Sequence, residues 1–203
     1  MKIIAVGRNY AAHAKEFNNE VPDAPIIFLK PETSLLRHKM PFYLPAFSNE
    51  IHHEIELVLK INKEGKHISE QFADRYYDEI GLGIDFTARD IQQSCKEKGL
   101  PWELAKAFDH SSPIGEFVAK DSLPDLQNIN FHLSLNEKVV QTGATQNLLF
   151  TFSAVISFVS RYITLKKGDL IFTGTPEGAG PVAIGDRLQG YLEGIKLLDF
   201  EIK

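Results

Sequence analysis

The chain has 203 residues, 43% hydrophobic and 24% charged, which suits one globular domain with a sizeable core. A net charge of -5 argues against a nucleic-acid partner. Cys95 is the single cysteine, so no internal disulfide can form, and a reducing compartment, the cytoplasm, is expected. No run of about 18 apolar residues offers a membrane span, and the short apolar stretch of MKIIAVGRNY reads as a first strand, not a signal peptide.

Taken in chain order, Lys2 to Val6 reads as a strand ended by Gly7, and Asn9 to Phe17 as a helix with Asn9 as its N-cap. Asn18 to Pro25 is a polar loop, and Ile26 to Lys30 a short strand closed by Pro31. Pro41 and Pro45 interrupt the next stretch. Glu54 to Ile61 alternates as a strand, Asn62 to Gly65 turns, Ser69 to Tyr77 reads as helical, and Ile80 to Asp85 as a buried strand. Thr87 and Asp90 have capping-box spacing before a helix from about Ala88 to Lys98, which Gly99 and Pro101 stop. Phe131 to Leu135 and Lys138 to Gln141 make a hairpin about Asn136-Glu137, and Ser153 to Tyr162 carries apolar residues at helical spacing. Leu170 to Thr173 is a strand running into GTPEGAGP, and Arg187 to Ile202 a hairpin turning at Glu193-Gly194. There is no internal repeat. Strands outnumber helices, so the expected class is α+β, a single domain over 1–203 dominated by mixed or antiparallel sheet.

The pattern with most chemistry in it is His53-Glu54-Ile55-Glu56-Leu57, followed about thirty residues on by Asp85 in GIDFTARD. Strand alternation puts Glu54 and Glu56 on one face, with Ile55, Leu57, Leu59 and Ile61 turned to a core. Two carboxylates at that spacing repel unless something positive lies between them. With Asp85 they make an oxygen set that suits Mg²⁺ or Mn²⁺ better than zinc. The run is not HExxH, so His52 and His53 are not expected as ligands. His13 and Glu16, at i and i+3 on a helix, can meet, and a carboxylate there fixes the imidazole tautomer and raises its basicity. Arg89 and Gln92 share a helix face. The loop Gly174-Thr175-Pro176-Glu177-Gly178 lacks GK[ST], so a nucleotide site is not indicated.

Six segments in order, GRNYAAHAKE (7–16), FLKP (28–31), HHEIEL (52–57), DFTARD (85–90), KGLPWELAKAFD (98–109) and TGTPEGAGP (173–181), resemble the fumarylacetoacetate hydrolase superfamily. The resemblance is to its short branch of acylpyruvate hydrolases and oxaloacetate decarboxylases, and it covers nearly the whole chain. It implies a β-rich roll, a homodimer and a divalent metal, Mg²⁺ or alternatively Mn²⁺, on Glu54, Glu56 and Asp85. It further implies catalytic roles for His13, Glu16 and Lys106, and substrate binding by Arg8, Lys30, Arg89, Gln92 and Thr175, with residues 9–25 as a lid. Three carboxylates and one divalent ion leave a formal charge of minus one, so a bound 2-keto acid needs help from these cations. The expected reaction is Mg²⁺-dependent carbon–carbon cleavage in small 2-keto acids. Acylpyruvate hydrolysis comes first and oxaloacetate decarboxylation close behind. The alternatives are an isomerase or tautomerase on the same scaffold and, more distantly, a metabolite-binding dimer without turnover.

Overall fold

The computed structural model describes residues 1–16, 20–37 and 39–203. The strands in chain order are β1 (Ile3–Gly7), β2 (Ile26–Lys30), β3 (Leu35–Leu36), β4 (Ile51–His53), β5 (Ile55–Ile61), β6 (Tyr77–Ile84) and β7 (Thr87–Ala88). They continue with β8 (Ser112–Ala119), β9 (Asn130–Leu135), β10 (Lys138–Ala144), β11 (Leu170–Phe172), β12 (Gly180–Pro181), β13 (Arg187–Leu192) and β14 (Ile195–Glu201). The α-helices are short: α1 (Ala11–Glu16), α2 (Arg89–Lys98), α3 (Glu103–Lys106) and α4 (Phe152–Tyr162). Among the described residues the strands form a mixed sheet in the order β2-β1-β11-β5-β6-β8-β3, a sheet β10-β9-β13-β14, and a small one, β12-β4-β7. The result is a β-rich curled sheet with few helices.

Both faces of the large sheet are buried. Ile55, Leu57, Leu59 and Ile61 enter the main core with Leu82, Ile84, Leu133, Leu188 and Leu198, where the second sheet packs. On the opposite face Val58 packs with Ile3, Ala5, Leu170 and Phe172. Alternation along β5 therefore separates two apolar layers, and Glu56 lies on the Val58 side. The two sheets approach closely at Gly115, where an added Cβ would stand 2.2 Å from the Leu197 carbonyl oxygen. Pro113 and Gly115 obscure β8 in the sequence, because both residues are poor strand formers; here the proline lies beside the two-residue β3 and the glycine allows the close approach.

Several local expectations give way to tertiary contacts. Asn9 does not spend its side chain on α1. Its Oδ1 accepts from the Phe150 N–H at 2.8 Å, and its Nδ2 donates to the carbonyls of Phe150 and Thr173 at 3.0 and 2.8 Å. Thr87 lies in β7, and the N-cap position of α2 is Ala88, without a side-chain cap. Asp90 instead binds Ser48 Oγ and the Asn49 N–H, tying the preceding loop to the helix. The helical stretch expected over Ser69 to Tyr77 is present as a 3-10 helix, Glu70–Tyr76. The strand expected over Glu54 to Ile61 is β5, beginning one residue later, and Glu54 itself lies at the break between β4 and β5. Gly99 ends α2 in the left-handed region, φ 64°, as its sequence position suggests. The expected lid loop includes Asn18 and Asn19, which with Phe17 lie outside the described residues.

Asn9 is fully buried and joins three chain segments that are far apart in sequence. Replacing it by alanine leaves the Thr173 carbonyl without that donor, and Asn9→Ala should cost about 2–3 kcal/mol in urea denaturation. A loss below about 0.5 kcal/mol would show that this junction is not structural.

Candidate active site

Strand pairing builds the acidic centre. β5 and β6 are antiparallel with Ile55 opposite Ile84, so the residues just beyond that pair, Glu54 and Asp85, are neighbours. The Asp85 N–H donates to the Glu54 carbonyl at 2.8 Å. Glu56 sits opposite Gly83. All three carboxylates are buried and offer oxygens within 4.8 Å of one another. β11 lies antiparallel to β5 on the other side, with Phe172 opposite Val58, which brings the Gly174 N–H to Glu56 Oε2 at 2.7 Å. β1 runs parallel to β11 with Ala5 opposite Phe172, so Gly7, Arg8 and α1 leave the sheet at the same end.

Three cations meet two of the three acids. Lys106 Nζ donates to Glu54 Oε2 at 2.7 Å and to Asp85 Oδ2 at 2.6 Å. Lys30 Nζ donates to Asp85 Oδ1 at 2.6 Å and to the Ser111 carbonyl at 2.9 Å. Arg89 donates to Glu54 Oε1 at 2.6 Å and to Gln92 Oε1 at 2.7 Å. The compensation is uneven. Burial works to raise the Glu54 carboxyl pKa, but Lys106 and Arg89 outweigh it and hold it well below the usual range. Burial and the Asp85 charge push Glu56 well above that range, against the Gly174 N–H and the Lys106 charge. Lys106 itself is held above its ordinary value, because Asp85 and Glu54 together outweigh its burial. Burial pulls Lys30 down, against the attraction of Asp85.

A second group faces the same place. His13 is buried, and its Nδ1 lies 3.3 Å from Glu16 Oε2. A carboxylate only accepts, so Nδ1 carries the hydrogen and Nε2 is the basic nitrogen of the neutral ring. Burial holds the imidazole pKa below its ordinary 6.5, with Lys106 also opposing protonation and Glu54 and Glu16 favouring it. Glu16 also accepts from the Gly178 N–H at 3.1 Å, linking α1 to the loop after β11. That loop is held from below by Gln141. Its Nε2 donates to Thr175 Oγ1 at 2.9 Å and to the Pro176 carbonyl at 3.0 Å, while its Oε1 accepts from the Ile55 N–H at 3.0 Å and faces His53 Nδ1 at 2.9 Å. A backbone N–H can only donate and a carbonyl only accept, so this arrangement fixes the amide orientation. Thr175 therefore accepts from Gln141 and keeps its own hydroxyl hydrogen for another acceptor.

Glu54, Glu56, Asp85, His13, Lys106 and Thr175 line one small cavity of about 40 Å³, together with Arg8, Arg89 and Gln92. Two of the expected residues stand off it. Glu16 stands behind His13, in contact with its Nδ1, and Lys30 is sealed beside Asp85, 1% exposed, where it compensates that carboxylate and does not face the cavity. The charge count made on the three acids alone is also incomplete: Lys30, Lys106 and Arg89 bring the cluster to neutrality, so a divalent ion makes it positive, not negative. Sequence reading passed over Gln141 and Lys96. Gln141 carries no local signal, because its partners lie 34 to 88 residues away. Lys96 had one: Arg89, Gln92 and Lys96 stand at i, i+3 and i+7 on α2 and line the cavity together. Trp102 lines the cavity too and meets Phe28 edge-on at 6.1 Å.

Residues 2–202 match the family described as fumarylacetoacetate (FAA) hydrolase C-terminal. The chain belongs to this family. It is 42% identical to the mitochondrial oxaloacetate tautomerase FAHD1 of Mus musculus over 99% of this chain and 91% of that protein. It is 43% identical to the mitochondrial oxaloacetate decarboxylase of Dictyostelium discoideum, over 96% of this chain and 89% of that one. The crystal structure of fumarylpyruvate hydrolase from Pseudomonas aeruginosa, in complex with Mn²⁺ and pyruvate, superimposes with a TM-score of 0.94. It is 33% identical, and the match covers 100% of this chain and 89% of that one. Within the family the chain falls in the short branch that includes FAHD1 and oxaloacetate decarboxylase.

The geometry fits a metal. Three buried carboxylate oxygens converge, and Glu56 lacks a side-chain cation bonded to it among the described residues. This donor set is a divalent-metal site suited to a hard cation. Glu56→Gln removes the least compensated buried charge, so the metal-free variant should resist heat better than the parent. It should also lose the stabilisation that Mg²⁺ confers, about 2.7 kcal/mol at a hundredfold excess over Kd. Thermal melts with chelator and with Mg²⁺ check both parts; a metal-free variant less stable than the parent would overturn the charge assignment.

Proposed function

We propose that the protein is a Mg²⁺-dependent enzyme of small 2-keto acids, acting on oxaloacetate by tautomerisation or decarboxylation, with acylpyruvate hydrolysis as the second reading. The observation that carries it is the charge balance of the cavity. Three acids and three bonded cations cancel, a divalent ion adds two positive charges, and a dianion such as oxaloacetate cancels those. The names of the mouse and Dictyostelium relatives support the same substrate. A divalent ion on Glu54, Glu56 and Asp85 would supply Lewis-acid polarisation of the 2-keto group.

The side chains account for the remaining work. Lys106 has two of its three ammonium hydrogens committed to Glu54 and Asp85, and the third is available to the keto or enolate oxygen. Thr175 offers its hydroxyl hydrogen to the substrate carboxylate, held in place by Gln141. Arg89 and Gln92 form one wall, and Arg suits a carboxylate in bidentate fashion. His13 Nε2, with Glu16 behind it, accepts a proton. In tautomerisation the proton comes from C3 and the oxygen on C2 is protonated. In decarboxylation the C3–C4 bond breaks, CO₂ leaves, the electron pair enters the enolate, and C3 is protonated to give pyruvate. In hydrolysis His13 takes a proton from water as it attacks the C4 carbonyl, and pyruvate enolate leaves with a carboxylic acid. The His13–Glu16 pair is the specific observation that keeps this second reading, because decarboxylation itself consumes no water.

His13→Ala should lower acylpyruvate hydrolysis by about 10²–10⁴-fold while pyruvate still binds, and should reduce oxaloacetate decarboxylation far less. Equal losses on both substrates would assign His13 to a step they share, and no loss on either would remove it from catalysis. His13 accepts a proton only when neutral. Its pKa lies below 6.5, so its acid limb in kcat/KM for hydrolysis falls below that pH, and rate is lost as pH drops through it. The segment 9–25 would act as a lid closed by the Glu16 contact to Gly178. Limited proteolysis within it should slow when Mg²⁺ and pyruvate are both present; unchanged cleavage would count against closure.

A further inference from the structure

Two cations in the cavity remain uncommitted. Arg8 and Lys96 both line it, and neither has a hydrogen-bond or ion-pair partner among the described residues, in contrast to Lys30 and Lys106. Lys96 is half-buried on the inward face of α2, in line with Arg89 and Gln92. Arg8 is carried at φ 59°, a conformation unusual for a bulky residue, between Gly7 and the Asn9 that is bonded to Phe150 and Thr173. Backbone strain of this kind persists where the surroundings impose it. Here the turn carries the Arg8 side chain to the wall that Lys96 also lines. Like charges brought together without a bonded acid are an unfavourable arrangement, and burial together with Arg8 and Arg89 holds the Lys96 pKa below its ordinary value, against the attraction of Glu54. An anion arriving between them relieves that repulsion.

We propose that Lys96, with Arg8, binds the second carboxylate of the substrate and so selects dicarboxylic 2-keto acids over monocarboxylic ones. The keto acid end is already served by the metal carboxylates, Lys106 and Thr175, and a monoanion such as pyruvate leaves the Arg8–Lys96 pair unmatched. This rests on the proposed keto-acid chemistry and deepens it by naming the substrate class and the residue that sets it.

The experiment compares the Mg²⁺-loaded parent, Lys96→Met and Lys96→Arg for binding of pyruvate and of oxaloacetate by calorimetry, with KM added wherever oxaloacetate is turned over. One charge-assisted hydrogen bond predicts that the parent prefers oxaloacetate by roughly tenfold or more. Lys96→Met should lose most of that preference with the pyruvate Kd unchanged within about twofold, and Lys96→Arg should regain it. A parent with no preference, or a Lys96→Met variant that keeps the preference or weakens both ligands equally, overturns the proposal. The two readings fail separately. Oxaloacetate that binds through Lys96 without reacting refutes the proposed activity alone, whereas turnover without a Lys96-dependent preference refutes this inference alone.

Discussion

Mutual repulsion among three buried carboxylates is the constraint on which this structure turns. At separations up to 4.8 Å, and with an effective dielectric of 20, each pair of unit charges costs roughly 3–4 kcal/mol. A whole domain is stable by only about 5–15 kcal/mol. The fold cannot hold Glu54, Glu56 and Asp85 together unless positive charge is built in beside them. Lys30, Lys106 and Arg89 supply it, each from a different element: the end of β2, α3 and the start of α2. The short helices are therefore not ornaments on the sheet; they carry the cations that make the acidic centre possible.

The compensation stops short of Glu56. Glu54 receives two cations and Asp85 two lysines, whereas Glu56 is bonded to the Gly174 N–H. That asymmetry leaves the centre short of positive charge at one corner, next to the cavity, which is where a divalent ion gains most. Once such an ion is counted the surplus turns positive, and an anionic substrate completes the balance. Binding of metal and of substrate are in this sense two stages of one electrostatic requirement.

Two buried amides place the loops that surround this centre. Asn9 joins the start of the chain to Phe150 and Thr173, and Gln141 joins His53 and Ile55 to Thr175 and Pro176. Each uses donor and acceptor together, so each fixes a direction as well as a distance. Removal of either would leave buried backbone groups unmatched, which costs more than the bond itself contributes.

The sequence by itself determined the acidic triad, the alternation of β5 over its core, the His13–Glu16 spacing, both hairpins and the family. These are local periodicities or contiguous motifs, and β5–β6 pairing needed only a short connection to join Glu54 to Asp85. Only the tertiary structure decided what Asn9, Lys30, Thr87 and Gln141 do. A helix N-cap and a buried crosslink use the same Asn side chain, and the choice depends on Phe150 and Thr173, more than 140 residues away. Lys30 could equally face substrate or ligand on local evidence; the β2 register and the Ser111 carbonyl turn it to Asp85. Strand β8 stayed hidden behind Pro113 and Gly115 because the reason for that glycine, the approach of Leu197, belongs to the other sheet. Hydrogen bonds and charges act through space, and a sequence states only distance along the chain.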